Sequence, residues 1–186
     1  MKEKTALLIG DGASLDQYRE YCVYNNFDYT IGTYCHFDDE DIDFTHYTLD
    51  KLDHCHFARQ YAEKYHAVTY TTGVLAEKTG VKGFEKRVYF DSLYTIQMRV
   101  AYHLGAEHIV TVAWDWQNLS PRIYESPLYR NYKPIQQHRC DSAYHIERRQ
   151  KLRANLKPIY KKFKTVEHKG LRHFDAFRFN DNLVLR

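Results

Sequence analysis

Residues 90–116, FDSLYTIQMRVAYHLGAEHIVTVAWDW, constrain the fold more than any other stretch of this chain. One face of a helix drawn through the first half carries mostly apolar side chains: Leu93, Ile96, Gln97, Val100 and Leu104. That spacing predicts an amphipathic helix, and Gly105 is a typical helix terminator. HIVTVAW then predicts a buried strand, with Asp115 at its carboxyl end. A helix, a glycine corner and a buried strand in this order favour an α/β fold.

The start of the chain has the complementary order of strand, glycine turn and helix. TALLIG (5–10) is short and apolar and predicts a buried strand. Ser14 and Gln17 have the spacing of a capping box, which predicts a helix that runs to about Tyr24. DYTIGTY (28–34) is rich in β-forming residues and predicts a second strand.

The rest of the chain continues the alternation of strands and helices. THYTL and residues 66–72 predict strands, and residues 56–65 have helical spacing. A basic helix is predicted at about 143–163, kinked or shortened by Pro158, before a last strand in KTVEHKG. This alternation implies a mainly parallel sheet covered by helices on both faces. No repeat or linker divides the sequence, so one domain over residues 1–186 is expected.

Charge is unevenly distributed along the chain. Residues 1–60 hold 5 Lys/Arg against 12 Asp/Glu, a net −7, whereas residues 117–186 hold 16 against 6, a net +10. The basic part could bind an anionic substrate or a nucleic acid, or could be a solvated helix face. No apolar run is long enough to span a bilayer or to form a signal peptide, so a cytoplasmic protein is expected. The four cysteines lack CxxC spacing and are expected to be free thiols.

The glycine turn GDGAS is the first candidate for ligand binding. It is not a P-loop, because G-K-[ST] is missing, and it holds only the first two glycines of G-x-G-x-x-G. Such a turn could still present backbone N–H groups and a helix N-terminus to an anion. The alternative is an ordinary turn between a strand and a helix. In a parallel sheet this turn and the Asp115 loop are candidate walls of one cleft at a topological switch point.

Metal binding is not expected from the sequence. DHCH (53–56) and Cys35-His36 are close together but do not have the spacing of a structural zinc site. FDDEDIDF resembles a calcium-binding EF-hand loop only in its acidity, so a solvated loop is expected there. His103 and His108 are expected at a helix end and a strand start.

Three segments taken together point to a known family. DGASL, FDYTIGT and DSLYTIQMRVAYHLGAEHIVTVAWD resemble, in this order, the bacterial sialyltransferases of glycosyltransferase family 42. They also resemble the related motility-accessory and archaeal pterin-diphosphokinase-like proteins. Those proteins carry an N-G-P-S-L turn, and an S-G-x-Y helix that leads through a Leu-Gly corner into a strand ending G-[IF]-D. The resemblance implies a Rossmann-like, nucleotide-binding domain.

The same resemblance implies a site for sugar transfer from a nucleotide-sugar, with CMP-linked sugars among the candidate donors, to a hydroxyl acceptor, and with no further cofactor. His145 opens the basic helix, as the general base does in the family, and Tyr124, with Tyr129 near it, matches tyrosines that assist the leaving phosphate. Asp115 and Ser92 would shape the cleft. The implied nucleotide-binding residues are Gly10, Asp11, Gly12, Ser14, Thr33 and Ser92.

Several positions depart from the family pattern. Asp11 replaces Asn, Ala13 replaces Pro, and Ala113-Trp114 replaces Gly-Ile before Asp115. Two other functions therefore stay open. One is a pterin-type diphosphokinase, which would need a divalent metal held by Asp115 and Asp11. The other is a non-catalytic Rossmann-like protein that binds a nucleotide, a nucleic acid or a protein. The oligomeric state also stays open.

Overall fold

A computed structural model describes residues 2–10, 12, 14–33, 41–49, 68–71, 82–83, 93–114, 154, 156–170 and 183–185. These residues contain one eight-stranded sheet. Its strands are β1 (Thr5–Ile9), β2 (Tyr29–Thr33), β3 (His46–Leu49), β4 (Val68–Thr71), β5 (Lys82–Gly83), β6 (His108–Val112), β7 (Thr165–Lys169) and β8 (Leu183–Leu185). The helices are α1 (Leu15–Tyr24), α2 (Leu93–His103) and α3, which covers residues 156–160.

The sheet has the strand order β5-β4-β3-β2-β1-β6-β7-β8, and all seven pairings are parallel. The predicted parallel α/β sheet is therefore confirmed. From β1 the chain builds outward to β5 on one side, and then returns to place β6, β7 and β8 on the other side. The order reverses between β1 and β6, which makes that pair the topological switch point of the sheet.

Alternating residues of the central strands enter two separate apolar clusters. Ala6 and Leu8 pack with side chains of α2 and α3, whereas Leu7 and Ile9 pack with Leu15 of α1. Since neighbouring residues of a strand point to opposite faces, α1 lies on one face of the sheet, and α2 and α3 lie on the other. Burial on both faces explains why β1 and β6 are apolar runs rather than alternating ones.

The predicted glycine corner after α2 is confirmed. Gly105 has a φ of 81°, in the left-handed region. Its N–H donates to the Tyr102 carbonyl, and the Ala106 N–H donates to the Ala101 carbonyl. This pair of bonds is the Schellman pattern, which satisfies the last carbonyls of a helix. The corner turns the chain directly into β6, with His103 ending α2 and His108 starting β6 as expected.

Other expectations are met in part. The strands predicted at 5–10, 28–34, 45–49, 66–72 and in KTVEHKG (164–170) are confirmed as β1, β2, β3, β4 and β7. The strand in KTVEHKG is not the last one, because β8 follows it. The acidic loop is not wholly solvated, since Ile42 and Phe44 are buried in the α1-side cluster. Cys22 is a buried free thiol. The helix at 56–65 and most of the basic helix lie outside the described residues, as do the three other cysteines.

Ion pairs occupy the edge of the sheet where the strands begin. The Lys164 ammonium contacts the carboxylates of Glu3 and Glu107, and Glu3 also pairs with His108 at 2.7 Å. The hydrogen bond from Lys164, followed by the one from His108, lowers the pKa of the Glu3 carboxyl. These acids therefore offset the charge of Lys164. Lys4 nearby donates to the Tyr29 hydroxyl at 2.7 Å.

Candidate functional site

The switch point brings the glycine turn next to the first residues after β6, and the Asp115 loop itself lies outside the described residues. Ile9 and Val112 are paired in register at the ends of β1 and β6. Beyond them, the Gly12 N–H donates to the Ala113 carbonyl at 2.6 Å. In open α/β sheets ligands bind outside the carboxyl ends of the strands at such a point. The glycine turn and the residues that follow β6 are therefore direct neighbours at the expected place.

Within the glycine turn, backbone donors are used by the fold itself. The Gly10 N–H donates to the Val112 carbonyl at 2.8 Å, and the Leu15 N–H donates to the Gly12 carbonyl at 3.0 Å. With the bond from Gly12 to Ala113, three N–H groups of the turn bind backbone carbonyls. These three donors are therefore not directed at a ligand.

Gly10 is required by packing inside the chain. A Cβ at this position would lie 2.6 Å from the Ala113 carbonyl oxygen and 2.7 Å from the Trp114 ring. Both distances are far below an ordinary van der Waals contact, and the first is to backbone, which cannot rotate away. The close approach that the glycine permits is therefore the approach of β6 and Trp114 to β1.

Ser14 precedes α1 but does not cap it as predicted. Its backbone lies in the αR region, with φ −76° and ψ −1°, and its side chain makes no capping hydrogen bond. An N-cap residue normally has an extended backbone, which aims its oxygen at the N–H groups of the first turn. The predicted capping box with Gln17 is therefore wrong. Ser14 is buried, and the N-terminus of α1 lies at the carboxyl edge of the sheet.

Thr33 ends β2 and is fully buried beside the end of β1. The neighbouring Gly32 leaves room for Phe44, whose ring would lie 2.6 Å from a Cβ at that position. Four predicted nucleotide-binding residues thus share one edge of the sheet: Gly10, Gly12, Ser14 and Thr33. The other predicted site residues lie outside the described part of the chain and stay predictions: Asp11, Ser92, Asp115, Tyr124 and His145.

Gln97 is the main residue of this edge that the sequence did not identify as functional. Its side chain is fully buried, and its Nε2 donates to the Ile9 carbonyl at 3.0 Å and to the Ile31 carbonyl at 3.1 Å. Its Oε1 accepts a hydrogen bond from the Trp114 Nε1 at 3.1 Å. One amide therefore joins α2 to the ends of three strands. The available signal was a polar residue on an otherwise apolar helix face.

Ala113 has the backbone conformation that glycine favours. Its φ is 58°, and it is the one residue other than glycine with a positive φ among those the structure describes. The N–H of Ala113 donates to the Lys169 carbonyl at 3.1 Å, while its carbonyl accepts from Gly12. A left-handed alanine costs about 1–2 kcal/mol relative to an ordinary conformation.

A chain of buried hydroxyls lies beneath Trp114. The hydroxyls of Tyr94 and Tyr160 are hydrogen-bonded to each other, and the ring of Tyr94 meets the Trp114 ring edge-on at 5.1 Å. Thr111 bonds to Tyr94 and, at 2.7 Å, to the Nδ1 of His168. Burial raises the pKa of both phenols well above the usual tyrosine range. Both tyrosines are therefore neutral at pH 7 and act as packing groups with satisfied hydroxyls.

Metal-binding groups, membrane spans and known relatives place few further constraints on the function. Among the described residues no group of three or more His, Cys, Asp or Glu side chains is placed to hold a metal ion. None of the helices in the described ranges combines the length and hydrophobicity of a membrane span. Comparison with protein-family models, with curated proteins and with solved structures finds no match.

Proposed function

We propose that this chain is a single Rossmann-like domain that binds a nucleotide-sugar and transfers the sugar to a hydroxyl acceptor. The observation that carries the nucleotide-binding part is the reversal of strand order between β1 and β6. It brings the glycine turn, the N-terminus of α1 and the end of β6 to one edge. The transfer part rests on the resemblance to the sialyltransferases.

Nucleotide binding at this edge would depend on the helix and on side chains. Gly10, Gly12 and Leu15 use their N–H groups within the chain, so the phosphate falls to the rest of the first turn of α1. The dipole of a helix N-terminus favours an anion. The resemblance also assigns Thr33, which is buried at the end of the adjacent strand, to nucleotide binding.

The transfer step is assigned from the family pattern. His145 would accept the proton of the acceptor hydroxyl as that oxygen attacks the anomeric carbon, while the bond from that carbon to the phosphate oxygen breaks. The Tyr124 hydroxyl would donate to the leaving phosphate, which lets the reaction proceed without a metal. Asp115 and Ser92 would line the cleft. The resemblance implies a donor of the CMP type.

Thermal-shift measurements with CMP, UDP, GDP, ADP and CMP-sialic acid, each with and without magnesium, test the binding part. A ligand at about 100 times its Kd adds about 2.7 kcal/mol to the stability of the folded state, which moves Tm by a few degrees. A CMP-selective shift that does not depend on magnesium is expected. Thr33→Val should abolish it. Thr48→Val is the matched control, because Thr48 is equally buried on the next strand and donates to the Gly32 carbonyl.

The transfer part has its own test. His145→Ala should remove sugar transfer from CMP-sialic acid and leave the nucleotide-dependent shift intact, because the base acts on the acceptor and not on the donor. Loss of nucleotide binding in this variant, or unchanged transfer, would refute the role of His145. Transfer of diphosphate from a nucleotide to a pterin-like hydroxymethyl group that stops in a chelator would point instead to the metal-dependent diphosphokinase type.

A non-catalytic nucleotide-binding protein is the second candidate. It is favoured by the three turn N–H groups that bind backbone carbonyls and by the buried Trp114 ring against Gly10. In that case the nucleotide shift should occur, but neither sugar transfer nor slow hydrolysis of the donor should be detected. Hydrolysis of CMP-sialic acid that depends on His145 would exclude this candidate.

A further inference from the structure

We infer that the surface formed by the last turn of α2 and by residues 157–162 binds single-stranded nucleic acid, separately from the switch point. Four side chains define this surface, the basic face: Tyr102, Lys157, Lys161 and Lys162. It goes beyond the proposed nucleotide-sugar site, since it lies on a different part of the fold and would take a polymer.

The two helices that form the basic face are neighbours. Leu156, Ile159 and Phe163 pack into the same apolar cluster as the inner side of α2. The rings of Tyr102 and Phe163 meet edge-on, with centroids 6.2 Å apart. Seven of the eleven residues of α2 are buried, and its exposed residues, Tyr102 and His103, lie in its last turn. Lys157, Lys161 and Lys162 are also exposed.

The sequence of both segments carries positive charge without acids. Residues 92–106 contain no Asp or Glu, and residues 148–166 contain none either. The second segment holds eight basic residues: Arg148, Arg149, Lys151, Arg153, Lys157, Lys161, Lys162 and Lys164. Lys164 is offset by Glu3 and Glu107, at the amino edge of the sheet. The other described lysines of this segment have no acid in either segment to offset them, so the face attracts polyanions.

Tyr102 identifies a single strand as the occupant. Its side chain is 47% exposed, although the rest of the ring packs on Phe163, and the Lys162 ammonium lies 4.3 Å from its ring centroid. An exposed aromatic ring among lysines is the arrangement on which unpaired bases stack while cations follow the phosphates. In a duplex the bases are already stacked on each other and cannot use the ring.

The location separates this surface from the proposed nucleotide site. Tyr102 is in the last turn of α2, and Gly105 leads from there into the first residue of β6. The basic face therefore extends toward the amino edge of the sheet, whereas the glycine turn and Trp114 lie beyond the carboxyl edge. The two surfaces can be occupied at the same time.

Fluorescence anisotropy of a labelled 20-nucleotide oligo(dT), titrated with the full chain, tests the inference. Three cationic contacts predict a slope of about −2.1 for log K against log salt, or about 20-fold weaker binding at 200 mM than at 50 mM salt. Lys157→Gln, Lys161→Gln and Lys162→Gln combined should bring the slope close to zero and weaken binding roughly 100-fold at 100 mM salt. Lys162→Gln and Lys164→Gln, each made as a single substitution, change the net charge of the chain equally. Lys164→Gln is the control and should weaken binding less than Lys162→Gln does.

Tyrosine variants test the stacking role. Tyr102→Leu keeps an apolar side chain against Phe163 but removes the aromatic face, and should weaken binding about tenfold. Tyr24→Leu is the matched control, since Tyr24 is 80% exposed on α1, on the other face of the sheet, and should bind normally. Correct folding of Tyr102→Leu is checked by its near-ultraviolet spectrum and its urea melt. Both should match those of the parent chain, apart from the lost tyrosine signal.

Three results would overturn the inference. The first is equal loss of affinity in Lys164→Gln and Lys162→Gln, or in Tyr24→Leu and Tyr102→Leu, which would indicate net charge or general stickiness. The second is binding that millimolar CMP displaces and the lysine variants keep, which would place the oligonucleotide at the switch point. The third is tighter binding to phosphatidylserine vesicles or to duplex DNA than to oligo(dT), with no effect of Tyr102→Leu.

Discussion

Replacing Gln97 by methionine tests whether one buried amide holds the carboxyl edge of the sheet together. Methionine has nearly the same volume, and a swap of this kind costs less than about 1.5 kcal/mol in packing. The loss of the amide is more severe, because it removes the partners of the Ile9 and Ile31 carbonyls and of the Trp114 Nε1. Each buried group left without its partner costs about 1–3 kcal/mol.

The lower end of that range gives a loss of about 3 kcal/mol for three groups, a large part of the 5–15 kcal/mol that a typical domain has. Urea denaturation monitored by tryptophan fluorescence measures this loss, since Trp114 is itself one of the affected groups. Gln17→Met is the control, because Gln17 is exposed on α1, and it should change the free energy of unfolding by less than about 0.5 kcal/mol. A Gln97→Met variant within 1 kcal/mol of the parent would refute the reasoning.

Gln97→Glu adds a pH-dependent version of the same test. A carboxylate there would face two carbonyl oxygens at the present distances of 3.0 and 3.1 Å, so burial and repulsion would raise its pKa above the unfolded value of about 4.3. The free energy of unfolding of Gln97→Glu should therefore be highest below pH 4.3, where the carboxyl is neutral in both states. It should fall as the pH rises toward the folded pKa, by up to about 1.4 kcal/mol per pH unit. The stability of Gln97→Met relative to the parent should not depend on pH.

Two further predictions concern single positions. Gly10→Ala should lower the free energy of unfolding by about 3 kcal/mol, because the added Cβ would overlap a backbone carbonyl and the Trp114 ring. Gly105→Ala has open space around the added Cβ and should lower it by only about 1 kcal/mol, the cost of a left-handed alanine. Equal losses in urea melts would contradict the packing argument. Burial raises the pKa of Tyr94 in the folded chain above its unfolded value of about 10. The contribution of the neutral Tyr94 phenol to the free energy of unfolding is therefore present below pH 10 and is lost as the pH rises above that value. Tyr94→Phe should therefore make the alkaline decline shallower by up to about 1.4 kcal/mol per pH unit, measured between pH 10 and 11.5, and an unchanged slope would show that Tyr94 ionises normally.

Much of the fold is predictable from the sequence because its signals are local. The apolar runs of β1 and β6 and the glycine after α2 each lie within a few residues of the element they define. β5 and β8 are two and three residues long, too short to show a period, and they form only because a longer neighbouring strand offers free edge groups. The capping box failed because its pattern specifies residue types and not the backbone angles of Ser14.

The candidate site is less predictable, because its contacts join distant parts of the chain. Gln97 donates to carbonyls 88 and 66 residues away, and these separations leave no pattern in a single sequence. Gly10 is a similar case. A glycine after a strand suggests close approach of a ligand, but here the group that approaches is Trp114, whose position depends on the pairing of β1 with β6.

The internal use of the turn's donors has a consequence for nucleotide affinity. In a turn with free N–H groups, each hydrogen bond to a phosphate contributes about 1.5–3 kcal/mol, so removing the phosphate weakens binding by orders of magnitude. Here the N–H groups of Gly10, Gly12 and Leu15 bind carbonyls, and the helix dipole of α1 contributes about 1 kcal/mol. Isothermal titration calorimetry should therefore give CMP only about fivefold tighter binding than cytidine. A difference of a thousandfold would mean that the turn rearranges and releases its N–H groups to the ligand.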